Sequence, residues 1–177
     1  MPTSIRKESG SVADSSVSIT HLDAAPETHM PKASVRAAID TPAASTLSLP
    51  FGAAEQRGDT LVARIRPDEW YLLGDGAPAM AADLDLTGFA STVDISHSRH
   101  AVRVSGAHAA DTLAKLCSTD FADDMSPNGA AWGSPIASVA CDIIRDDRSG
   151  ERSYLLLFDG SFAAYFIGAL QDAAAEF

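Results

Sequence analysis

Residues 93–106 read VDISHSRHAVRVSG. One Asp, two His, three Ser and two Arg fall in a stretch otherwise made of Val, Ile, Ala and Gly. By residue type a nucleophile, a base and an orienting carboxylate are all present. The spacing points elsewhere. Val93 and Ile95 alternate with Asp94 and Ser96, and Val102 and Val104 alternate with Arg103 and Ser105. That is the period of two expected of half-buried strands. The stretch reads as a hairpin with its turn at His97-Ser98-Arg99-His100. Val93, Ile95, Val102 and Val104 then face a core, and the polar residues face solvent or a partner.

On either side the same order of elements recurs. Upstream, Leu61–Ile65 and Trp70–Leu73 read as strands around a Pro67-Asp68-Glu69 turn. Ala77–Leu84 follows as a helix, with Pro78 in its first turn. After the opening stretch, Gly106 breaks into Ala107–Cys117, where Ala109, Leu113, Leu116 and Cys117 form one helical stripe. Downstream, Ile136–Ile144 reads as a strand, Arg145–Arg152 as a polar turn, and Tyr154–Phe158 as a strand buried on both faces. Ser161–Glu176 reads as a helix capped by Asp159 or Ser161, with Phe162, Tyr165, Phe166, Ala169 and Leu170 on one face. Three strand-strand-helix units predict an α+β fold, a mostly antiparallel sheet with helices packed on one side.

Residues 46–177 are expected to form this single domain. Residues 1–45 begin Ser-rich and polar and carry Pro26, Pro31 and Pro42, the composition of a poorly ordered or partner-docking arm. The net charge of −11 argues against nucleic acid, which needs clustered Lys and Arg. No apolar run suggests a secretory leader or a membrane span, so a cytoplasmic location is expected. Cys117 and Cys141 are too far apart for a disulfide framework or zinc ribbon and read as reduced core residues.

Each motif has a structural reading that outweighs its chemical one. Gly74-Asp-Gly76-Ala-Pro-Ala79 precedes a helix, with Asp94 further on, a loosened dinucleotide fingerprint. Asp75 would set a carboxylate beside a pyrophosphate, however, and the flanking strands look like hairpins rather than parallel crossovers. His97, His100 and His108 lack a completing ligand set, so no metal is expected on this chain. Asp94, Ser96, His97 and His100 lie too close in sequence for a typical Ser-His-Asp triad, and no GxSxG elbow accompanies them. Arg66-Pro-Asp-Glu-Trp70 reads as a turn anchored by an aromatic, and Asp146-Asp147-Arg148 as a solvated turn.

Four stretches in order resemble the gamma subunit of heterotetrameric sarcosine oxidase. They are Arg66-Pro-Asp-Glu-Trp-Tyr-Leu-Leu73, Val93-Asp-Ile-Ser-His-Ser-Arg99, Val104-Ser-Gly-Ala107 leading into Leu113-Ala-Lys-Leu-Cys117, and Ser161-Phe-Ala-Ala-Tyr165 with Ala175-Glu-Phe177. The resemblance covers about residues 45–177. It implies a fold similar to the folate-binding domain of the glycine-cleavage aminomethyltransferase. The stretch before Asp146 lacks that enzyme's glycines, so folate chemistry is not carried onto Asp142 or Asp146. The resemblance further implies a non-catalytic, structural chain in a complex that oxidatively demethylates sarcosine, or a related N-methyl amine, to glycine. No cofactor is expected on this chain; FAD, FMN, NAD and tetrahydrofolate are expected on larger partner subunits, beside a small zinc-binding subunit. His97, Arg99 and His100 are the candidate partner contacts. The rival expectations are a free-standing folate-binding or one-carbon transfer protein and, more remotely, a serine hydrolase.

Overall fold

The computed structural model describes residues 17–23 and 29–177. In chain order the strands are β1 (Ser18–His21), β2 (Lys32–Ala37), β3 (Ala54–Arg57), β4 (Thr60–Arg66), β5 (Glu69–Leu73) and β6 (Ala90–Asp94). They continue with β7 (Arg99–Ser105), β8 (Ala131–Ile136), β9 (Val139–Arg145) and β10 (Ser153–Asp159). The helices are α1 (Pro42–Thr46), α2 (Ala77–Ala82), α3 (Ala109–Ala114) and α4 (Ala163–Ala174), the last entered through a 3-10 turn at Gly160–Phe162. The α+β class and the three strand-strand-helix units, β4-β5-α2, β6-β7-α3 and β9-β10-α4, are as the sequence implies.

The strands form two five-stranded antiparallel sheets, ordered β3-β4-β5-β2-β6 and β8-β9-β10-β7-β1. They stack face to face. Leu61, Ala63, Ile65, Tyr71 and Leu73 of the first meet Ala101, Ala131, Ile144, Leu155 and Leu157 of the second. The outer face of each sheet is covered by helices. Val35, Val62, Trp70 and Leu72 pack beneath α1 and α2, while Val102, Val104, Tyr154, Leu156 and Phe158 pack beneath α3 and α4. Central strands are therefore buried on both faces, which is why TLVARIR, EWYLL and SYLLLFD read as nearly continuous apolar runs.

A larger repeat encloses the three units. Residues 32–94 run β2-α1-β3-β4-β5-α2-β6, and residues 99–174 run β7-α3-β8-β9-β10-α4, with equivalent strands in equivalent places. The second half lacks its closing strand. β1 supplies it from the N-terminal side, pairing Ser18–His21 antiparallel with Val102–Ser105.

The structure corrects four expectations. Residues 93–106 are not a hairpin: β6 pairs with β2 at the edge of one sheet, while β7 lies between β1 and β10 in the other. Alternation is the same whether a chain reverses within a sheet or crosses between two, so periodicity alone cannot distinguish them. On its edge strand Val93 is 58% exposed, whereas Val102 and Val104 are fully buried.

The folded body also begins well before residue 46. β2 bonds to β5 and β6 on its two sides, and α1 is capped by Thr41, whose side chain accepts from the Ala44 N–H. Prolines flanking short apolar pieces concealed these elements. Residues 1–16 and 24–28 of the expected arm lie outside the described residues. Ile136–Ile144 is two strand ends and a tight turn, not one strand. Finally, Phe166 and Leu170 of the C-terminal helix are buried, but Phe162, within the 3-10 turn, and Tyr165, one residue and so about 100° from the stripe of Phe166, are exposed.

Candidate partner interface

Asp94 at the end of β6, Ser96 and His97 in the crossover, and Arg99 and His100 at the start of β7 are the chemistry-bearing side chains here, and local contacts position them. Asp94 Oδ1 accepts the Ser96 N–H at 2.8 Å, and the Ser96 hydroxyl, together with this N–H, holds the Asp94 carboxyl below the usual range. Ser96 Oγ accepts the Lys32 N–H at 2.9 Å. Both groups are thus employed in joining the crossover to β2.

His97 is exposed, with its ring centroid 4.7 Å from that of His29. His100 turns inward against Phe158, at 5.5 Å, and its Nε2 is buried with no hydrogen-bond partner among the described residues. Burial lowers the His100 pKa; nearby Asp23 opposes this, and His21, Lys32 and His29 reinforce it. These residues do not converge as nucleophile, base and orienting acid. Among the described residues no group of three or more His, Cys, Asp or Glu is arranged to hold a metal ion.

A buried ion pair beneath this segment leaves no mark in the residue pattern. Asp23 and Lys32 have fully buried side chains 2.9 Å apart. Asp23 also accepts the Met30 and Ala101 N–H groups at 2.8 and 2.7 Å, and Lys32 Nζ also donates to the Met30 carbonyl at 2.7 Å. One carboxylate thereby ties the end of β1, the approach to β2 and the start of β7. The desolvation of both charges is offset only because nearly every donor and lone pair is used.

The remaining candidates are structural. A Cβ at Gly74 would lie 2.7 Å from the Asp59 carbonyl oxygen, and one at Gly76 would lie 2.5 Å from Thr60 Oγ1. Glycine is needed there for the close approach of the β3–β4 turn, and the neighbouring strands are antiparallel. In the Arg66–Trp70 turn, Glu69 accepts from Ser34 Oγ at 2.8 Å and from Arg66 at 2.7 Å. Trp70 is fully buried with the Arg64 guanidinium 4.7 Å over its ring. The Asp146-Asp147-Arg148 turn is less solvated than expected. Arg103 donates to Asp146 at 3.0 Å, and Arg145 spans Asp147 and Asp123. His108 sits at the start of α3, stacked on Phe177. Cys117 and Cys141 are buried free thiols.

Arg99, of the three candidate contacts, enters a cleft. It lines a cavity of about 450 Å3 with Arg66, Ser134, Pro135, Cys141 and Asp142. Asp142 is occupied: Tyr71 donates to its Oδ2 at 2.9 Å and Arg66 to its Oδ1 at 3.3 Å, bonds that join the two sheets. Burial and the adjacent Asp142 push the Tyr71 phenol up to about 12, so it stays a donor. Gly133 leaves the cleft open, since a Cβ there would stand 3.4 Å from Asp142 Oδ1.

Residues 29–176 match the model of the family described as "Sarcosine oxidase, gamma subunit family". Among solved structures, heterotetrameric sarcosine oxidase from Corynebacterium sp. U-96 in complex with pyrrole 2-carboxylate contains a chain that superposes with a TM-score of 0.79 at 22% identity. The match covers 94% of this chain and 88% of that one. Aminomethyltransferase T of the glycine cleavage system from Bartonella henselae superposes with a TM-score of 0.66 at 15% identity. It covers 88% of this chain but only 45% of that enzyme. At these identities both likenesses speak to the fold. No curated protein matches the chain in sequence.

Proposed function

Because the chain belongs to the sarcosine oxidase gamma subunit family, we propose that it is a non-catalytic structural subunit of a multi-subunit flavoprotein. That complex oxidatively demethylates sarcosine, or a related N-methyl amine, to glycine. FAD, FMN, NAD and tetrahydrofolate belong to the larger subunits, a small zinc-binding subunit completes the set, and the assembly is cytoplasmic. No helix among the described residues is long and apolar enough to cross a membrane. The family match over residues 29–176 carries the reading. The employment of Asp94, Ser96, Glu69 and Asp142 in contacts that build the fold supports it.

Coexpressed with the larger subunits, the chain is expected to copurify in a stoichiometric complex. Purified alone, it is expected to oxidise no sarcosine and carry no flavin absorbance. Its recovery as a lone monomer in the presence of those subunits overturns the reading. The fold shared with aminomethyltransferase T favours one alternative, a free-standing folate-binding or one-carbon transfer protein. Saturable binding of tetrahydrofolate by the isolated chain in a calorimetric titration would establish that alternative.

A further inference from the structure

The cleft beside Asp142 holds an imbalance of charge. Arg66 is satisfied by Glu69 and Asp142. Arg99 is partly buried, yet its guanidinium makes no hydrogen bond or ion pair among the described residues. The carboxylate opposite it across the β7–β10 ladder, Asp159, is engaged elsewhere. Its Oδ1 accepts the Ser161 N–H at 2.9 Å and the Ser161 hydroxyl at 2.6 Å. A guanidinium presents five donors in a fixed fork suited to a carboxylate. In a chain with net charge −11, a half-buried cation with no hydrogen bond or ion pair among the described residues is the exception; Arg99 acts on Asp159 only through longer-range attraction.

The neighbourhood is that of a protein contact. Phe162 and Tyr165 are 48% and 59% exposed, and aromatic side chains and Arg are enriched at interface centres. Tyr165 donates its hydroxyl to the Ala137 carbonyl at 3.0 Å, and the next residue, Ser138, lines the cleft. A single guanidinium in a wet cleft, with the Asp142 carboxylate in the same wall, is too weak to hold a free small anion. It is well suited to fix the register of a larger interface. We propose that this cleft receives a carboxylate side chain of a partner subunit, with Arg99 as its counter-ion. The proposal rests on the subunit reading above and assigns that reading a contact point. His97 is exposed beside His29, whereas His100 turns inward against Phe158.

The test is copurification and affinity measurement of the tagged chain with the coexpressed larger subunits. Wild type, Arg99→Ala, Arg99→Lys, Arg99→Glu and a distant control, Arg57→Ala, are compared, and thermal melts of the isolated variants verify folding. The expected result is a loss of about tenfold in affinity for Arg99→Ala, only partial recovery in Arg99→Lys, which keeps the charge but not the fork, and no complex with Arg99→Glu. Arg57→Ala is expected to match wild type. Raising salt from about 50 to about 500 mM should weaken the wild-type complex more than that of Arg99→Ala. Assembly of folded Arg99→Glu at wild-type affinity overturns the proposal while leaving the subunit reading intact. Failure of wild type to assemble overturns both. Saturable, Arg99-dependent binding of acetate by the isolated chain, with assembly unaffected by Arg99→Glu, also overturns it.

Discussion

An imidazole nitrogen shut away from water without a partner is a cost that charge can only increase, and among the described residues His100 is in that position. Its folded-state pKa is depressed by burial against Phe158, so the unfolded chain takes up the proton more readily. The stability it contributes is complete above the unfolded value of about 6.5 and is lost as the pH falls below it. Replacing His100 by Phe keeps a ring against Phe158 and removes the unpaired nitrogen. His100→Phe is therefore expected to raise stability by about 0.5 kcal/mol, a figure discounted for partial exposure. It should also flatten the decline between about pH 7 and pH 5. Urea unfolding at both ends of that range measures the difference, and an unchanged slope would refute the assignment. Glu69 acts in a lower window. Burial opposes its ionisation, but the Ser34 hydroxyl and the Arg66 and Arg36 guanidiniums prevail and hold its carboxyl below the usual range. That contribution is present above about pH 4.3 and is lost on further acidification. None of this is readable from residue types. Lys32 opens a strand of sequence KASVRA and resembles a surface lysine until Asp23, nine positions earlier, is folded beneath it.

Turns and strands were legible where turn chemistry was conventional. Pro67-Asp68 announced the β4–β5 reversal, and alternation identified β6 and β7 as strands. The β8–β9 reversal was invisible. Its two loop residues, Ala137 and Ser138, have φ of 47° and 66°, the left-handed geometry of a primed hairpin turn usually built from Asn and Gly. Nothing in Ile-Ala-Ser-Val suggests such a turn, so two strands looked like one. Tertiary bonds impose it instead: the Ala137 N–H donates to the Leu116 carbonyl at 2.9 Å, and the Ala137 carbonyl accepts from Tyr165. A left-handed residue with a Cβ costs about 1 kcal/mol. Ser138→Gly is accordingly expected to stabilise the protein by about 0.5–1 kcal/mol. Ala137 is better left in place because it packs on the core. A shift in the urea midpoint at constant m-value would register the gain, and a fall in the midpoint would show that the turn is unstrained.

For the molecule as a whole, the three units were legible because they are short-range. Their division between two sheets was not, because it depends on which distant strand each one meets. Residues 32–94 form one sheet by themselves, and the other sheet consists of residues 99–159 and β1. Cutting between the exposed residues His97 and Ser98 should therefore leave two pieces able to rejoin through their apolar inner faces. Coexpressed fragments 1–97 and 98–177 are expected to copurify one to one. Deleting residues 1–23 from the first should sharply weaken that association, since β1 and Asp23 both bond to β7. Equal recovery with and without residues 1–23 would show that β1 contributes nothing to the join. The position of β1 also bears on the order in which the protein is made. Residues 18–21 leave the ribosome ahead of every other described strand, yet their place does not exist until β7 has followed them out. At roughly 5–20 residues per second, the sheet of residues 32–94 can close while β1 waits on the order of ten seconds. The earliest described strand is held over to complete the later half, so a newborn chain carries an unpaired, adhesive edge until its second sheet arrives.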